Sequence, residues 1–105
     1  MNRTCRDQYF DRYMDYLRER TDAERKVKGQ APYSDVTLKT MATDTFYLEK
    51  REEKGFKEWL KDKETLDEAY DRLVYHLSGR KKPESDARYY LDCMVMFKDF
   101  LDQTH

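Results

Sequence analysis

The side chains of this chain that could do chemistry are few and scattered. There are two histidines, two cysteines and several groups of carboxylates. His76 falls at the edge of the apolar face of an amphipathic stretch, which predicts a half-buried structural histidine, and His105 is the last residue. Cys5 and Cys93 lie far apart, and neither has a histidine beside it in sequence. Cys93 sits in an apolar stretch, so a buried free thiol in a reducing, cytoplasmic setting is expected. No Cys/His/Asp group has zinc spacing, and no glycine-rich turn leads into a helix to cradle phosphate. Glu49, Glu52 and Glu53 form one acidic group, and Asp67, Glu68 and Asp71 another. The pairs Glu49/Glu53 and Asp67/Asp71 share a helix face and in principle a metal ion. Each group is interleaved with Lys or Arg, however, as on a solvated face laced with ion pairs. The expectation is therefore no catalytic residue, no metal and no cofactor.

Aromatic residues carry more information. Tyr9, Phe10, Tyr13, Met14, Tyr16 and Leu17 spread over about 160° of a helical wheel, wider than one docking groove needs. Tyr9 and Tyr16 lie toward one edge of that arc and are expected to be accessible. Tyr47 and Tyr75 lie roughly opposite the apolar faces of their own helices, Tyr47 near Val36, Thr40 and Thr43. Tyr9, Tyr13, Tyr16, Tyr47 and Tyr75 are thus candidate partner-binding residues, since Tyr is enriched in interface cores. The densest positive cluster is Arg80-Lys81-Lys82, followed by Arg88. With Lys39 these are candidate phosphate contacts.

Composition limits the alternatives. At 105 residues, 38% hydrophobic and 41% charged, the chain is one domain with a modest core and a densely charged surface. The net charge of −1 argues against a whole-molecule clamp on nucleic acid and against an acidic DNA mimic. An aromatic content of 14% excludes a disordered tail. No apolar run reaches the ~18 residues of a membrane span, and the N-terminus is polar rather than signal-like.

These residues must be held by helices. No segment alternates with period two, which predicts an all-α bundle of four to five helices. Thr4 caps a first helix, which either breaks at the capping-box spacing Thr21-Asp-Ala-Glu24 or continues to Lys28. Gly29 to Pro32 stops it. Ser34 caps a second helix from Asp35 to about Lys54, with Gly55 just past its end. Phe56 to Leu60 is a short third helix, with Trp59 plugging the gap beneath it. Thr65-Leu-Asp-Glu68 opens a fourth helix that ends at Gly79, with Leu66, Ala69, Tyr70, Leu73 and Leu77 on its core face. Glu84 or Ser85 starts the last helix. Its apolar residues, from Ala87 to Leu101, cover about 220° of the wheel, where a surface helix needs little more than ~100°. That helix is expected in the centre, with Phe97 buried.

Ser34 to Leu48, Phe56-Lys-Glu-Trp59-Leu60, Thr65 to Leu77, Arg80 to Pro83 and Phe97-Lys-Asp-Phe100-Leu101 follow one another in a known order. Residues 34–103 resemble the helical core-binding (SAM-like) N-terminal domain of phage integrases and other tyrosine recombinases. The resemblance implies a phage or mobile-element origin and a fold once suited to nucleic acid. The arginine–histidine–tyrosine cleavage machinery of that family has no counterpart in these residues, and the stretch from Asp35 to Gly79 is net acidic. The expected organisation is a helical arm over residues 1–33 and a core-binding-like helical core over 34–105.

The leading functional expectation is a non-enzymatic interaction protein. It would dock on a larger protein partner, as an inhibitor or adaptor of host nucleic-acid machinery such as a defence nuclease, in the manner of an anti-CRISPR. The alternative is a DNA-binding module in which Ser34, Thr37, Lys39, Thr40 and the basic loop face the phosphate backbone. Binding to bare nucleic acid is expected to be weak, and no membrane partner is expected.

Overall fold

The computed structural model of the chain describes residues 4–51, 53–61 and 64–104. Five helices follow one another: α1 (Cys5–Val27), α2 (Asp35–Arg51), α3 (Glu53–Trp59), α4 (Glu64–His76) and α5 (Pro83–Thr104). No strand occurs among the described residues.

Local chemistry sets most of the helix ends. Thr4 is extended, and its hydroxyl accepts the Asp7 amide at 3.1 Å, closing the first turn of α1. The other end is a Schellman motif. The Gln30 amide reaches the Arg25 carbonyl at 2.8 Å, and the Gly29 amide reaches that of Lys26 at 3.1 Å. Gly29 has φ 69°, which a residue with a Cβ adopts only under strain. Thr21 does not cap. It is buried in an unbroken α1, and its hydroxyl donates to the Leu17 carbonyl at 2.7 Å. Ser34 caps α2 by accepting the Thr37 amide at 3.2 Å. Gly55 lies inside α3 rather than just past α2. Thr65 lies inside α4, which starts at Glu64, and its hydroxyl turns toward the Glu58 carbonyl. Pro83, not Glu84 or Ser85, opens α5, in the position where a missing amide proton is not needed.

α5 is the central post and packs against α1, α2 and α4. Phe97 is wholly buried. Its ring meets Tyr13 at 5.0 Å, Phe46 at 5.2 Å, Phe100 at 5.9 Å, Phe56 at 6.0 Å and Tyr9 at 6.3 Å between centroids. Rings from α1, α2 and α3 therefore converge on one residue of α5. Trp59, Ala69, Leu73 and Leu77 are buried as expected, while the side chain of Leu66 lies outside the described residues.

α1 is not an arm. Tyr9, Tyr13 and Leu17 belong to the same buried cluster as Phe97. The wide aromatic arc has an internal reason, because α1 lies against two neighbours, α2 and α5. Phe10 faces Phe46 of α2, and Tyr16 faces Phe100 of α5. Glu49, buried on α2, accepts the Cys5 amide at 2.7 Å and the Arg6 amide at 3.1 Å. With Thr4 on the Asp7 amide, the amides of the first three helical residues of α1 are all satisfied. A carboxylate also complements the positive end of the helix dipole.

Candidate functional site

The residues that suggested chemistry are occupied by structure. Glu49 is engaged in capping α1, and it is neither solvated nor part of a metal group. Among the described residues no group of three His, Cys, Asp or Glu is placed to hold a metal ion. The side chains of Glu52, Glu53 and Asp67, and all of His105, lie outside the described residues. Burial, and then the Glu49 carboxylate beside it, push the Cys5 thiol up to about 12. Burial pushes the Cys93 thiol up to about 11. Both stay protonated near neutrality, where a nucleophile would need to be a thiolate. His76 is exposed rather than half-buried, and its ring lies edge-on to Tyr75.

The five candidate tyrosines divide. Tyr9 and Tyr13 are buried, Tyr13 completely at 0% exposure, so neither offers a surface to a partner. Tyr16 is half-buried, and its hydroxyl accepts Arg20 at 2.9 Å. The guanidinium groups of Arg12 and Arg20 lie over the rings of Tyr9 and Tyr16 at 4.9 and 5.9 Å. The aromatic face of α1 is thus closed from inside by α2 and α5 and flanked by its own arginines. Tyr75 is 77% exposed and Tyr47 38%.

The basic candidates divide too. Arg80 pairs with Asp86 at 3.6 Å and lies 5.8 Å from the Tyr90 ring centroid. Arg88 lies over the ring of Tyr70 at 5.1 Å. Lys39, Lys81 and Lys82 are exposed and make no ion pair among the described residues. Three lysines are too few to hold nucleic acid tightly by counterion release.

The surface that remains is a groove where α1, α2 and α5 meet, with a volume of about 520 Å³. α2 contributes Val36, Thr37, Thr40 and Met41, and α5 contributes Tyr89, Asp92, Cys93 and Met96. Thr21 and Glu24 of α1 and Tyr33 of the α1–α2 loop complete the lining. The groove is open, with Val36 76% exposed and Tyr89 38% exposed. Its walls are held in place. Arg18 donates to the Tyr33 carbonyl at 2.7 Å and pairs with Asp22 and Asp35, tying the loop between α1 and α2 to both helices. Arg25 lies 4.2 Å from the Tyr33 ring centroid and donates to the Ala31 carbonyl. Tyr89 donates to Asp44 at 2.6 Å, joining α5 to α2. Burial and that carboxylate raise the Tyr89 ionisation, so the phenol stays neutral.

The groove has little free polarity. The Thr21 hydroxyl is engaged with Leu17 and that of Thr40 with the Val36 carbonyl, while Thr37 bonds Ser34. Glu24 is paired with Arg20 at 3.0 Å. Beyond the groove the buried ring of Tyr90 lies between Tyr89 and Tyr47, meeting Tyr47 at 6.3 Å, so the exposed edges of Tyr89 and Tyr47 flank a core ring. Tyr89 and the groove escaped sequence reasoning, which placed Tyr89 on the apolar arc of α5. The available signal was Val36, Thr40 and Tyr47 recurring on the outer face of α2.

Among the described residues no helix is long and apolar enough to cross a membrane. Comparison with protein-family models, with curated proteins and with solved structures gives no match.

Proposed function

We propose that the chain is a non-enzymatic interaction protein that docks on a larger protein through the α2–α5 face. The observation that carries this reading is the open groove lined by Val36, Met41, Tyr89 and Met96, with Tyr47 exposed further along α2. Half-exposed tyrosines beside a preorganised apolar depression suit the centre of a protein interface, because little side-chain freedom is lost on binding. The thiols held protonated and Glu49 engaged in capping favour a binding role over catalysis. The resemblance of residues 34–103 to recombinase core-binding domains directs the proposal to phage or mobile-element proteins. A target in host nucleic-acid machinery, such as a defence nuclease, fits it. The test is affinity capture from host lysate with the full chain and with Tyr47→Ser, with and without nuclease treatment. A partner retained after nuclease and lost with Tyr47→Ser is expected. Capture that disappears on nuclease treatment, or that ignores the α2–α5 face, overturns the reading.

A further inference from the structure

The chemistry of the groove narrows what occupies it. Its lining is mostly apolar and includes two methionines, Met41 and Met96, whose unbranched thioethers adapt to varied apolar shapes. The threonine hydroxyls around it are engaged with their own helices and offer few hydrogen bonds to a polar ligand. No cation lines it, and its charged groups are Glu24 and Asp92. Glu24 is paired with Arg20, which also reaches Asp99 at 3.2 Å, whereas Asp92 is exposed and makes no hydrogen bond or ion pair among the described residues. The walls run about 7.5 Å along α2 from Val36 to Met41 and about 10.5 Å along α5 from Tyr89 to Met96, roughly one and a half and two helical turns. Small-molecule sites enclose most of their ligand, which this open depression does not. An amphipathic helix laid across a groove is the recognition mode that matches such walls.

Resting on the docking reading above, we propose that the groove takes an α-helical protein segment bearing a bulky apolar side chain and, one turn away, a Lys or Arg that pairs with Asp92. The apolar side chain seats between Met41 and Met96, and the cation answers the one unpaired carboxylate of the lining.

A display library of helical peptides, selected against the full chain, tests this. Thr40→Trp, which fills the groove from an exposed position, serves as counter-selection. Recovered peptides are expected to combine an apolar residue with Lys or Arg at a spacing of about one turn. Asp92→Lys is expected to weaken them about fivefold or more, and exchanging the peptide's basic residue for Glu is expected to restore binding to that variant. An unchanged circular-dichroism melt of both variants separates these losses from unfolding. Groove-directed peptides without a basic residue, or indifferent to Asp92→Lys, overturn the partner chemistry while leaving the docking reading standing. Peptides that bind Thr40→Trp equally well, or no enrichment at all, overturn the groove as a docking site.

Discussion

Replacing Glu49 separates a structural carboxylate from a surface one. Its two oxygens accept the Cys5 and Arg6 amides at 2.7 and 3.1 Å across a sequence separation of more than 40 residues. Hydrogen bonds to a charged group contribute about 1.5–3 kcal/mol each, and the shorter bond belongs toward the top of that range. Glu49→Ala removes both and leaves two helix-end amides to find water, for an expected loss of about 3–4 kcal/mol. Glu49→Gln keeps one acceptor but loses the charge that faces the helix N-terminus, for about 2 kcal/mol. Thr4→Ala, which removes only the local cap, should cost about 1 kcal/mol. In the Glu49→Ala background it should cost less, because the first turn of α1 has already frayed. Urea unfolding followed by circular dichroism gives all four stabilities. A second readout is chemical. Burial comes first and the Glu49 charge second in raising the Cys5 thiol to about 12, so Glu49→Gln should lower it and speed alkylation at mildly alkaline pH. Stability of Glu49→Gln within about 0.5 kcal/mol of wild type, with unchanged Cys5 alkylation, would refute the capping argument, since such a change is typical of an ordinary surface site.

Phe97→Ala empties the point where rings of α1, α2 and α3 converge, and should cost on the order of 3–5 kcal/mol in urea unfolding; a loss below about 1.5 kcal/mol would contradict the packing described. The Cys5 and Cys93 thiols sit near 12 and 11 in the folded chain, above their ordinary value, so their contribution is intact below about pH 8.5 and is lost as pH rises through 11 to 12. Tyr13 and Tyr89 are raised as well and add to the loss at higher pH. Urea midpoints should therefore be insensitive to these groups from pH 7 to about 8.5 and be pulled down by them above it; a midpoint that rises toward pH 10.5 would count against this. Lys81→Ala with Lys82→Ala should flatten the salt dependence of any weak duplex-DNA binding by a slope of roughly 2, read by fluorescence anisotropy. Tight, sequence-specific binding at physiological salt would instead promote the DNA-binding alternative.

The sequence by itself determined the helical class, the central place of α5 and several helix ends. Thr4, Ser34 and Gly29 act on amides and carbonyls within a few residues of themselves, so their effect is written locally. The breadth of the apolar arc on α5 implied neighbours on most sides, and the burial of Phe97 followed from it. Tertiary structure alone decided which apolar surface stayed open. A wheel reports how wide an arc is, not how many partners share it, and α1 uses its arc against two helices. Tyr9 and Tyr13 are therefore buried, while Tyr89, on the arc of α5, is left half-exposed at a groove wall. The role of Glu49 was equally invisible, because a cap supplied from another helix leaves no short-range spacing to read. Local hydrogen bonds are encoded in neighbouring residues, whereas the groove exists only where residues of three helices come together in space.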